Sequence, residues 1–498
     1  MKKVSFLPIL GILSLLVSCS PTRDIPGYDN TEDKFNTNLF YRNDGQVQAA
    51  DPHVICDDGM FYMYATNANG NGDCSYLQVF TSYNLTDWTN NGICYQPKLT
   101  NWAIDGLWAP EVIKFEEKYY LYYSGWDIKH GGHQIGVAVS DSPLGPFIDY
   151  VGESANGYID SKNAPIKFDF SVIDASPFID KDGEKYLLFT KDQYQGVSSI
   201  YIAKLNDDMV TIDYSTITLL SEPVLDWEMQ NTNHWNEAPF LYEHEGVYYL
   251  FYSANYYMDR YYGIGVSTSS SPMGPFEKAE EPVLITQDYW DYISGTGHCS
   301  LFTSPDGKEV FMAYHSHIDT ILGGGERKIN FDRVNFVEGK VLVNGPSISP
   351  QLLPSGVGEY QDITSKATIK VNGSLNNGLK DNLINNLETK LEHEVDVLSN
   401  KAIITVDFEE EQILRAIMIY DSANFDYCLP KVDDIEINGK HIKDIMMNES
   451  YYGNDDYLFK IPCSAFIYEF DELKSNKITI TLSSSENIYL NEIKVVGK

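Results

Sequence analysis

The chain has 498 residues, of which 43% are hydrophobic and 21% charged, a composition that excludes a disordered acidic chain. Lys and Arg total 36 against 71 Asp and Glu, so the formal net charge is −35. A charge of this sign repels phosphate backbones, which argues against nucleic acid as a partner. The aromatic content of 13%, with 36 Tyr, is typical of a β-rich fold.

The first residues have the pattern of an export signal. A basic pair and an apolar run, together residues 2–17, precede Cys19, and the run is too short to span a bilayer comfortably. The segment 16–19 resembles a bacterial lipobox, in which the cysteine is lipidated after cleavage. We predict a lipoprotein signal peptide over residues 1–18, lipidation of Cys19, and a bacterial lipoprotein exported to the cell envelope, either periplasmic or at the cell surface. The alternative is an ordinary secretory signal. Contact with the membrane is expected through the lipid anchor only.

After a predicted linker over residues 19–39, the sequence becomes repetitive. Five segments each combine a short strand, an acidic or glycine-bearing turn and a second strand rich in Tyr, Phe and Leu, which is the pattern of a β-hairpin. The segments recur about every 60 residues, a spacing that leaves room for four strands in each unit. We therefore predict a five-bladed β-propeller over residues 40–355. The alternative, a large β-sandwich, does not explain the regular period.

The propeller geometry determines which residues can meet. The first strand of every blade lines the central axis, so residues at the start of these strands converge at one mouth of the tunnel. Polar residues occupy this place, or lie within two residues of it, in all five units: Asp51, Glu111, Asp174, Glu237 and His298.

The chain changes character from about residue 360. None of the seven Trp lies there, and alternating runs such as 402–408 and 478–482 indicate further strands. We predict a β-sandwich accessory domain of jelly-roll type over residues 360–498. The predicted fold class is therefore all-β, a five-bladed propeller followed by a sandwich. The last strand resembles that of galactose-binding-like domains, a resemblance that implies a structural or sugar-binding role.

The acidic strand starts suit one type of reaction. Cleavage of a glycosidic bond needs two carboxyl groups, one that donates a proton and one that is ionised. Segments at these strand starts resemble, in order and spacing, glycoside hydrolase family 43: Ala50-Asp51-Pro52, Trp108-Ala-Pro-Glu111, Ile173-Asp174, Glu237-Ala-Pro239 and the His298 segment. The resemblance covers about residues 45–350. It implies an inverting glycosidase that acts on arabinose- or xylose-containing plant polysaccharides or oligosaccharides, as an α-L-arabinofuranosidase or a β-xylosidase.

The same resemblance implies the roles of particular residues. Asp51 would be the general base that activates water, Asp174 would orient the acid and adjust its pKa, and Glu237 would be the general acid. Glu111 would line the cavity or contact the residues that line it. Departing from many relatives, the chain has Glu-Ala-Pro rather than Glu-Gly-Pro at residues 237–239, which should not change the chemistry.

Other residues are expected to bind. Arg327 would reach the bound sugar, with a salt bridge to an axial carboxylate as the alternative. Trp108 and Trp126 would stack on the sugar, or else pack between blades. His298 would face the axis and contact a metal ion or water, or be a buried structural histidine. No cofactor is required for this hydrolysis, and a structural Ca²⁺ at the propeller axis is a further expectation.

Two other functions are compatible with a five-bladed propeller. A retaining fructan-type hydrolase would use the first aspartate as a nucleophile, with carboxyl groups only about 5–5.5 Å apart. A non-catalytic surface glycan-binding lipoprotein would lack one of the three carboxyl groups. All three are present in this chain, which argues against the binding protein.

Overall fold

In the computed structural model the described residues fall into these ranges: 35–43, 47–67, 74–150, 164–193, 196–230, 232–288, 292–384, 395–396, 399–422, 430–451, 461 and 463–498. The predicted signal peptide and Cys19 lie outside them. In this part of the chain, no helix is both long and apolar enough to cross a bilayer.

Residues 50–343 form five antiparallel units of four strands within the described ranges. The strands of blade 1 are Ala50–Asp57, Met60–Thr66, Leu77–Ser82 and Thr89–Tyr95. Those of blade 2 are Trp108–Phe115, Lys118–Trp126, His133–Ser140 and Ile148–Asp149. Those of blade 3 are Val172–Ile179, Lys185–Lys191, Val197–Leu205 and Ile212–Ser221. Those of blade 4 are His234–His244, Val247–Ala254, Gly263–Ser269 and Glu277–Lys278. Those of blade 5 are Gly297–Thr303, Val310–His317, Arg327–Val337 and Lys340–Val343.

The first strands of the blades surround a common axis. Each contacts the first strand of the next blade, and that of blade 5 contacts that of blade 1. At this closure Ser300 Oγ donates to the Pro52 carbonyl (3.0 Å) and accepts the Val54 N–H (3.2 Å). The ring is therefore closed, and the predicted five-bladed propeller is confirmed.

The hairpins form where the turn chemistry predicts them. Blade 1 reverses at Asp58 and Gly59, whose φ angles are 49° and 75°. Two positive φ angles in a two-residue loop are the requirement of the tight hairpin turn that matches strand twist. The second strands then bury their aromatic and aliphatic side chains between neighbouring blades, as Phe61 and Phe311 do between blades 1 and 5. Each such side chain stabilises the fold by about 1.5–3 kcal/mol.

The C-terminal part is a second all-β region. Its strands are Gln361–Asp362, Ala367–Val371, Ser374–Leu375, Val395–Asp396, Lys401–Asp421, Lys431–Ile437, Lys440–His441, Met446–Tyr451, Ala465–Ser483 and Tyr489–Gly497. Among the described residues the short helices are Asp226–Met229, Thr364–Lys366 and Gly378–Lys380 (3₁₀) and Ile442–Ile445 (α). The two longest strands pair with each other and carry bulges, and their apolar faces enclose one core. The predicted all-β fold class is therefore confirmed.

The sandwich packs on the edge of the propeller. Phe40–Tyr41 pairs with Gln351–Leu352, and these short strands bury Phe40 and Leu352 against Met418 and Tyr420 of the sandwich. Gln351 Nε2 donates to the Cys463 carbonyl (3.1 Å), and Tyr420 Oη donates to Gln351 Oε1 (3.1 Å). An apolar cluster closed by buried hydrogen bonds joins the two regions.

Candidate active site

Each inner strand contains a β-bulge near its first residue. The pairing with the second strand shifts there by one residue. A residue with left-handed backbone conformation stands at the same place in all five blades: Asp51 (φ 53°), Ala109 (47°), Asp174 (55°), Ala238 (53°) and His298 (48°). This conformation costs a non-glycine residue about 1–3 kcal/mol and persists only where the surrounding structure imposes it.

The bulges direct side chains into one pocket of about 740 Å³. Every blade contributes to the lining of this pocket. The contributed residue is the one with left-handed backbone conformation, the one directly before it, or both: Asp51, Trp108, Ile173, Asp174, Glu237 and His298. The structure therefore brings the three predicted catalytic carboxyl groups into one cavity.

Neighbouring blades hold the bulges in place. In four blades the N–H of the left-handed residue donates to a side chain at the end of the preceding blade's second strand. These bonds join Asp51 to His315 Nδ1 (3.2 Å), Ala109 to Thr66 Oγ1 (2.8 Å), Asp174 to Ser124 Oγ (3.0 Å) and His298 to Ser253 Oγ (2.7 Å). In these four cases a polar residue at or near the end of a second strand thus fixes the strained backbone of the next blade.

Blade 4 departs from this pattern. The Ala238 N–H donates instead to Asp174 Oδ2 (3.0 Å). The equivalent hydroxyl, Thr190 Oγ1, is fully buried and has no hydrogen-bond partner among the described residues. The exception places the Asp174 carboxyl group directly against the strand that carries Glu237.

Asp51 lies among hydrogen-bond donors and a cation. Its Oδ1 is 3.1 Å from Arg327 Nη1 and 3.3 Å from His298 Nδ1, and its Oδ2 accepts the Thr66 hydroxyl (2.7 Å). Burial alone would raise the pKa of Asp51, but the Arg327 guanidinium, and after it His298, hold that pKa well below its usual range. Asp51 is therefore ionised across the ordinary pH range.

Glu237 has the opposite environment. Burial raises its pKa well above the usual range, and the nearby charge of Asp174 raises it further. Burial also raises the pKa of Asp174. Tyr262 donates a hydrogen bond to Glu237 Oε1 (2.8 Å), and this bond favours the ionised form. Two carboxyl groups so close, with no cation beside Glu237 among the described residues, keep a proton on Glu237.

The structure places Arg327 beside a carboxylate. Its guanidinium pairs with Asp51, lies 5.1 Å from the centre of the Tyr257 ring and lines the pocket. The salt bridge to an axial carboxylate, the alternative raised by the sequence, is therefore present.

The metal ion expected near His298 stays a prediction. Calcium takes six to eight oxygen ligands. Among the described residues, no group of three or more His, Cys, Asp or Glu side chains could hold a metal ion. His298 Nδ1 faces Asp51 Oδ1, and no step of the chemistry below involves a metal.

Aromatic side chains of blade 2 form one wall of the pocket. The His133 ring lies 3.9 Å from that of Trp108 and 5.2 Å from that of Trp126, between centroids. Trp108 is 37% and Trp126 44% exposed, so both tryptophans lie at the open mouth. Gly106 (φ 63°) allows this packing, because a Cβ there would lie 2.8 Å from that of Trp126.

Glu111 lies deeper than the pocket lining. It stands two residues beyond the left-handed Ala109, the place that His53 holds in blade 1. Glu111 Oε2 is 3.5 Å from His53 Nδ1. Burial raises the pKa of Glu111 well above its usual range and lowers that of His53 to about 4. The two form an uncharged pair beneath the site.

Several residues that line or support the pocket were not predicted from the sequence, among them Thr66, Asp192, Tyr262 and His315. Thr66 and His315 end their hairpins, where every repeat has Thr, Ser or His, and that regularity was the available signal. Tyr262 has no such signal, because many tyrosines of similar context lie in the core.

Comparison with known proteins is consistent with this geometry. Residues 45–340 match the family described as glycosyl hydrolases family 43. A β-D-galactofuranosidase of Aspergillus niger is 29% identical over 309 residues, which cover 59% of this chain and 81% of that protein. A xylosidase/arabinosidase of Humicola insolens is 27% identical over 51% of this chain and 87% of its own.

Solved structures agree with the assignment. A thermostable family-43 glycoside hydrolase is 36% identical, with a TM-score of 0.57 over 63% of this chain and 99% of its own. A glycoside hydrolase with 20% identity and a TM-score of 0.50 covers 93% of this chain and all of its own, which shows that the two-part fold occurs elsewhere. The pocket, its carboxyl groups and these matches lead to one conclusion: the chain belongs to glycosyl hydrolase family 43.

Proposed function

We propose that this protein is an inverting glycosidase that acts on arabinose- or xylose-containing plant glycans, as an α-L-arabinofuranosidase or a β-xylosidase. One observation carries the proposal: a single pocket holds one carboxyl group kept ionised, Asp51, and another kept protonated, Glu237. Hydrolysis of a glycosidic bond needs both at the same time, and the inverting course is proposed from the family resemblance.

The roles follow from these protonation states. Asp51 takes a proton from the water that attacks the anomeric carbon, while Glu237 gives its proton to the departing glycosidic oxygen. The Glu237 carboxylate that results accepts the Tyr262 hydroxyl. Asp174 is fixed by the Ala238 N–H, and burial together with the charge of Asp174 keeps the proton on Glu237 before the reaction.

The substrate class is supported by the names of related proteins. An arabinoxylan arabinofuranohydrolase of Bacillus subtilis is 26% identical over 54% of this chain and 56% of its own length. The Humicola protein named above acts on xylose or arabinose linkages by its name. The Aspergillus relative is named for another furanose, galactofuranose, and that sugar belongs among the substrates tested.

A substrate panel tests the proposal. Aryl α-L-arabinofuranosides, β-D-xylosides and β-D-galactofuranosides would be assayed beside branched and debranched arabinan and xylan. We expect release of arabinose or xylose. Hydrolysis of galactofuranosides alone would show that the sugar is galactofuranose and not arabinose or xylose. Binding of glycans without hydrolysis would favour the glycan-binding alternative.

We also propose that the chain is anchored to the cell envelope through lipid on Cys19, because the segment before it has a lipobox pattern. The wild-type protein should partition into membranes and the Cys19→Ser variant should not. Equal partitioning of the two would contradict this proposal.

For the sandwich we propose a structural role, since it buries Met418 and Tyr420 against the propeller edge. Disruption of that interface should lower the thermal unfolding midpoint of the propeller. An unchanged midpoint would favour the sugar-binding alternative.

A further inference from the structure

A fourth carboxyl group, that of Asp192, lines the pocket. Asp192 directly follows the second strand of blade 3, and its N–H donates to the Ser171 carbonyl (3.0 Å). Ser171 Oγ donates to Asp192 Oδ2 (3.0 Å). The other oxygen, Oδ1, has no hydrogen-bond partner among the described residues and is available to a ligand.

Asp192 lies on the acid side of the pocket. Burial is the main cause of the raised pKa values of Glu237 and Asp174, and the charge of Asp192 contributes to both. Asp192 adjoins the strand that carries Asp174, and the Asp174 carboxyl group accepts the Ala238 N–H next to Glu237. Because the general acid faces the leaving-group oxygen, Asp192 is on the side where the leaving group lies.

Asp192 is also joined to the aromatic wall. Ser171 Oγ, which donates to Asp192, accepts a hydrogen bond from the backbone N–H of His133 (3.1 Å). The His133 ring in turn contacts Trp108 and Trp126 at the open mouth. Aromatic faces bind the C–H face of a sugar, while a carboxylate accepts hydrogen bonds from its hydroxyls. The wall and Asp192 thus have the parts of a site for the sugar beyond the scissile bond.

The charge of this region is one-sided. The carboxyl groups of Asp51, Asp174 and Glu326 line the same pocket as Asp192, beside the protonated Glu237. Within the described lining, Arg327 is the single Lys or Arg, and it is paired with Asp51. A carboxylate on the leaving group would therefore face like charge without a free partner.

We propose that Asp192 determines specificity for the leaving group: it accepts hydroxyls of a neutral sugar and excludes leaving groups that carry a carboxylate, such as uronic acids. This inference rests on the proposed glycosidase function. It predicts that neutral arabinan and arabinoxylan are cleaved in preference to glycans substituted with uronic acid next to the scissile bond.

Two aryl glycosides that differ by one charge test the inference. The glycone is the sugar that the substrate panel identifies, and the leaving groups are 3-carbamoylphenol and 3-carboxyphenol, which have nearly the same shape. For the wild-type protein we expect kcat/KM to be about 10-fold or more higher for the amide, mainly through KM. The Asp192→Asn variant should bring the ratio several-fold closer to one.

A matched variant controls for the charge change. Asp207 is also in blade 3, is 99% exposed and pairs with Lys185 outside the pocket. Asp207→Asn should keep the wild-type ratio. If Asp192→Asn does not fold, the salt dependence of the wild-type ratio decides, because the ratio should narrow between about 0.05 and about 1 M NaCl.

The outcomes separate the two proposals. A wild-type ratio near one, or a ratio that neither Asp192→Asn nor salt changes, overturns the specificity role while leaving the glycosidase function intact. Failure to cleave any glycoside of the panel overturns both.

Discussion

The two sides of the pocket shift the pKa of a carboxyl group in opposite directions. On the base side Asp51 is surrounded by Arg327, His298 and the Thr66 hydroxyl, and its pKa lies well below the usual range. On the acid side Glu237 has Asp174 as its charged neighbour, and its pKa lies well above that range. Burial alone would raise both pKa values, so it does not distinguish the two groups. The neighbouring charges determine which carboxyl group is the base and which is the acid.

The largest effect is expected from removal of the acid. Glu237→Gln keeps the shape of the side chain but has no proton to donate to the glycosidic oxygen. We expect kcat on a natural glycan to fall about 10³-fold, while glycan binding remains. Steady-state kinetics and calorimetric binding measure the two quantities.

Glu243→Gln is the matched control, because Glu243 lies on the same strand near its other end. It should leave kcat unchanged. Wild-type turnover in Glu237→Gln would show that another group is the acid.

The next effect concerns the base side. Arg327→Met removes the cation that holds the pKa of Asp51 low, so this pKa should rise. Asp51 must be ionised to accept a proton, and the acid limb of the kcat/KM profile should therefore move to higher pH, with a loss of about 10–100-fold at its optimum. Arg327→Lys, which keeps the charge, should restore the position of the limb. An acid limb unchanged in Arg327→Met would show that the cation does not set the ionisation of the base.

A smaller effect is expected on the acid side. Tyr262→Phe removes the hydrogen bond that favours ionised Glu237, so the pKa of Glu237 should rise further. The basic limb of the pH profile should move to higher pH, and kcat should fall about 10-fold because the acid is weaker. Tyr261→Phe is the control, since that hydroxyl bonds Asp288 outside the pocket lining. A basic limb that moves to lower pH would contradict the assigned donor and acceptor.

The smallest effect is expected from removal of single hydroxyl groups at equivalent places in two blades, those of Thr66 and Thr190. Thr66→Val leaves the Ala109 N–H without its acceptor and removes a bond to Asp51, so it should lower the free energy of unfolding by about 1–3 kcal/mol. Thr190→Val removes a hydroxyl that has no partner among the described residues, and the change should be within about 0.5 kcal/mol. Urea denaturation measures both. Equal losses in the free energy of unfolding would contradict the exception at blade 4, because Thr190 would then contribute as much as Thr66.

The repeat period was enough to predict the blades and the meeting of the strand starts. Asp51, Asp174 and Glu237 can be predicted because each lies near the start of an inner strand, and a propeller brings those places together. The bulge itself could not be read from the sequence, since it joins aspartate, alanine and histidine in one backbone conformation. It explains why Glu237 stands one residue before the left-handed position, whereas Asp51 stands on it.

Other parts of the site depend on contacts between distant strands. In the sequence, Asp192 resembles any polar residue at the end of a strand. Only the fold shows that it lines the pocket. The pairing of Asp51 with Arg327 joins residues 276 positions apart, so the sign of the Asp51 pKa shift could not be obtained from either residue alone.

The central claim is that Asp51 acts on water while Glu237 acts on the leaving oxygen, which inverts the anomeric centre. The most direct measurement is ¹H NMR of the first product during hydrolysis of a substrate that the panel identifies. The account predicts that the sugar is released with the opposite anomeric configuration and equilibrates only later. Release with the configuration of the substrate would contradict it, because Asp51 would then be a nucleophile, as in the fructan-type alternative.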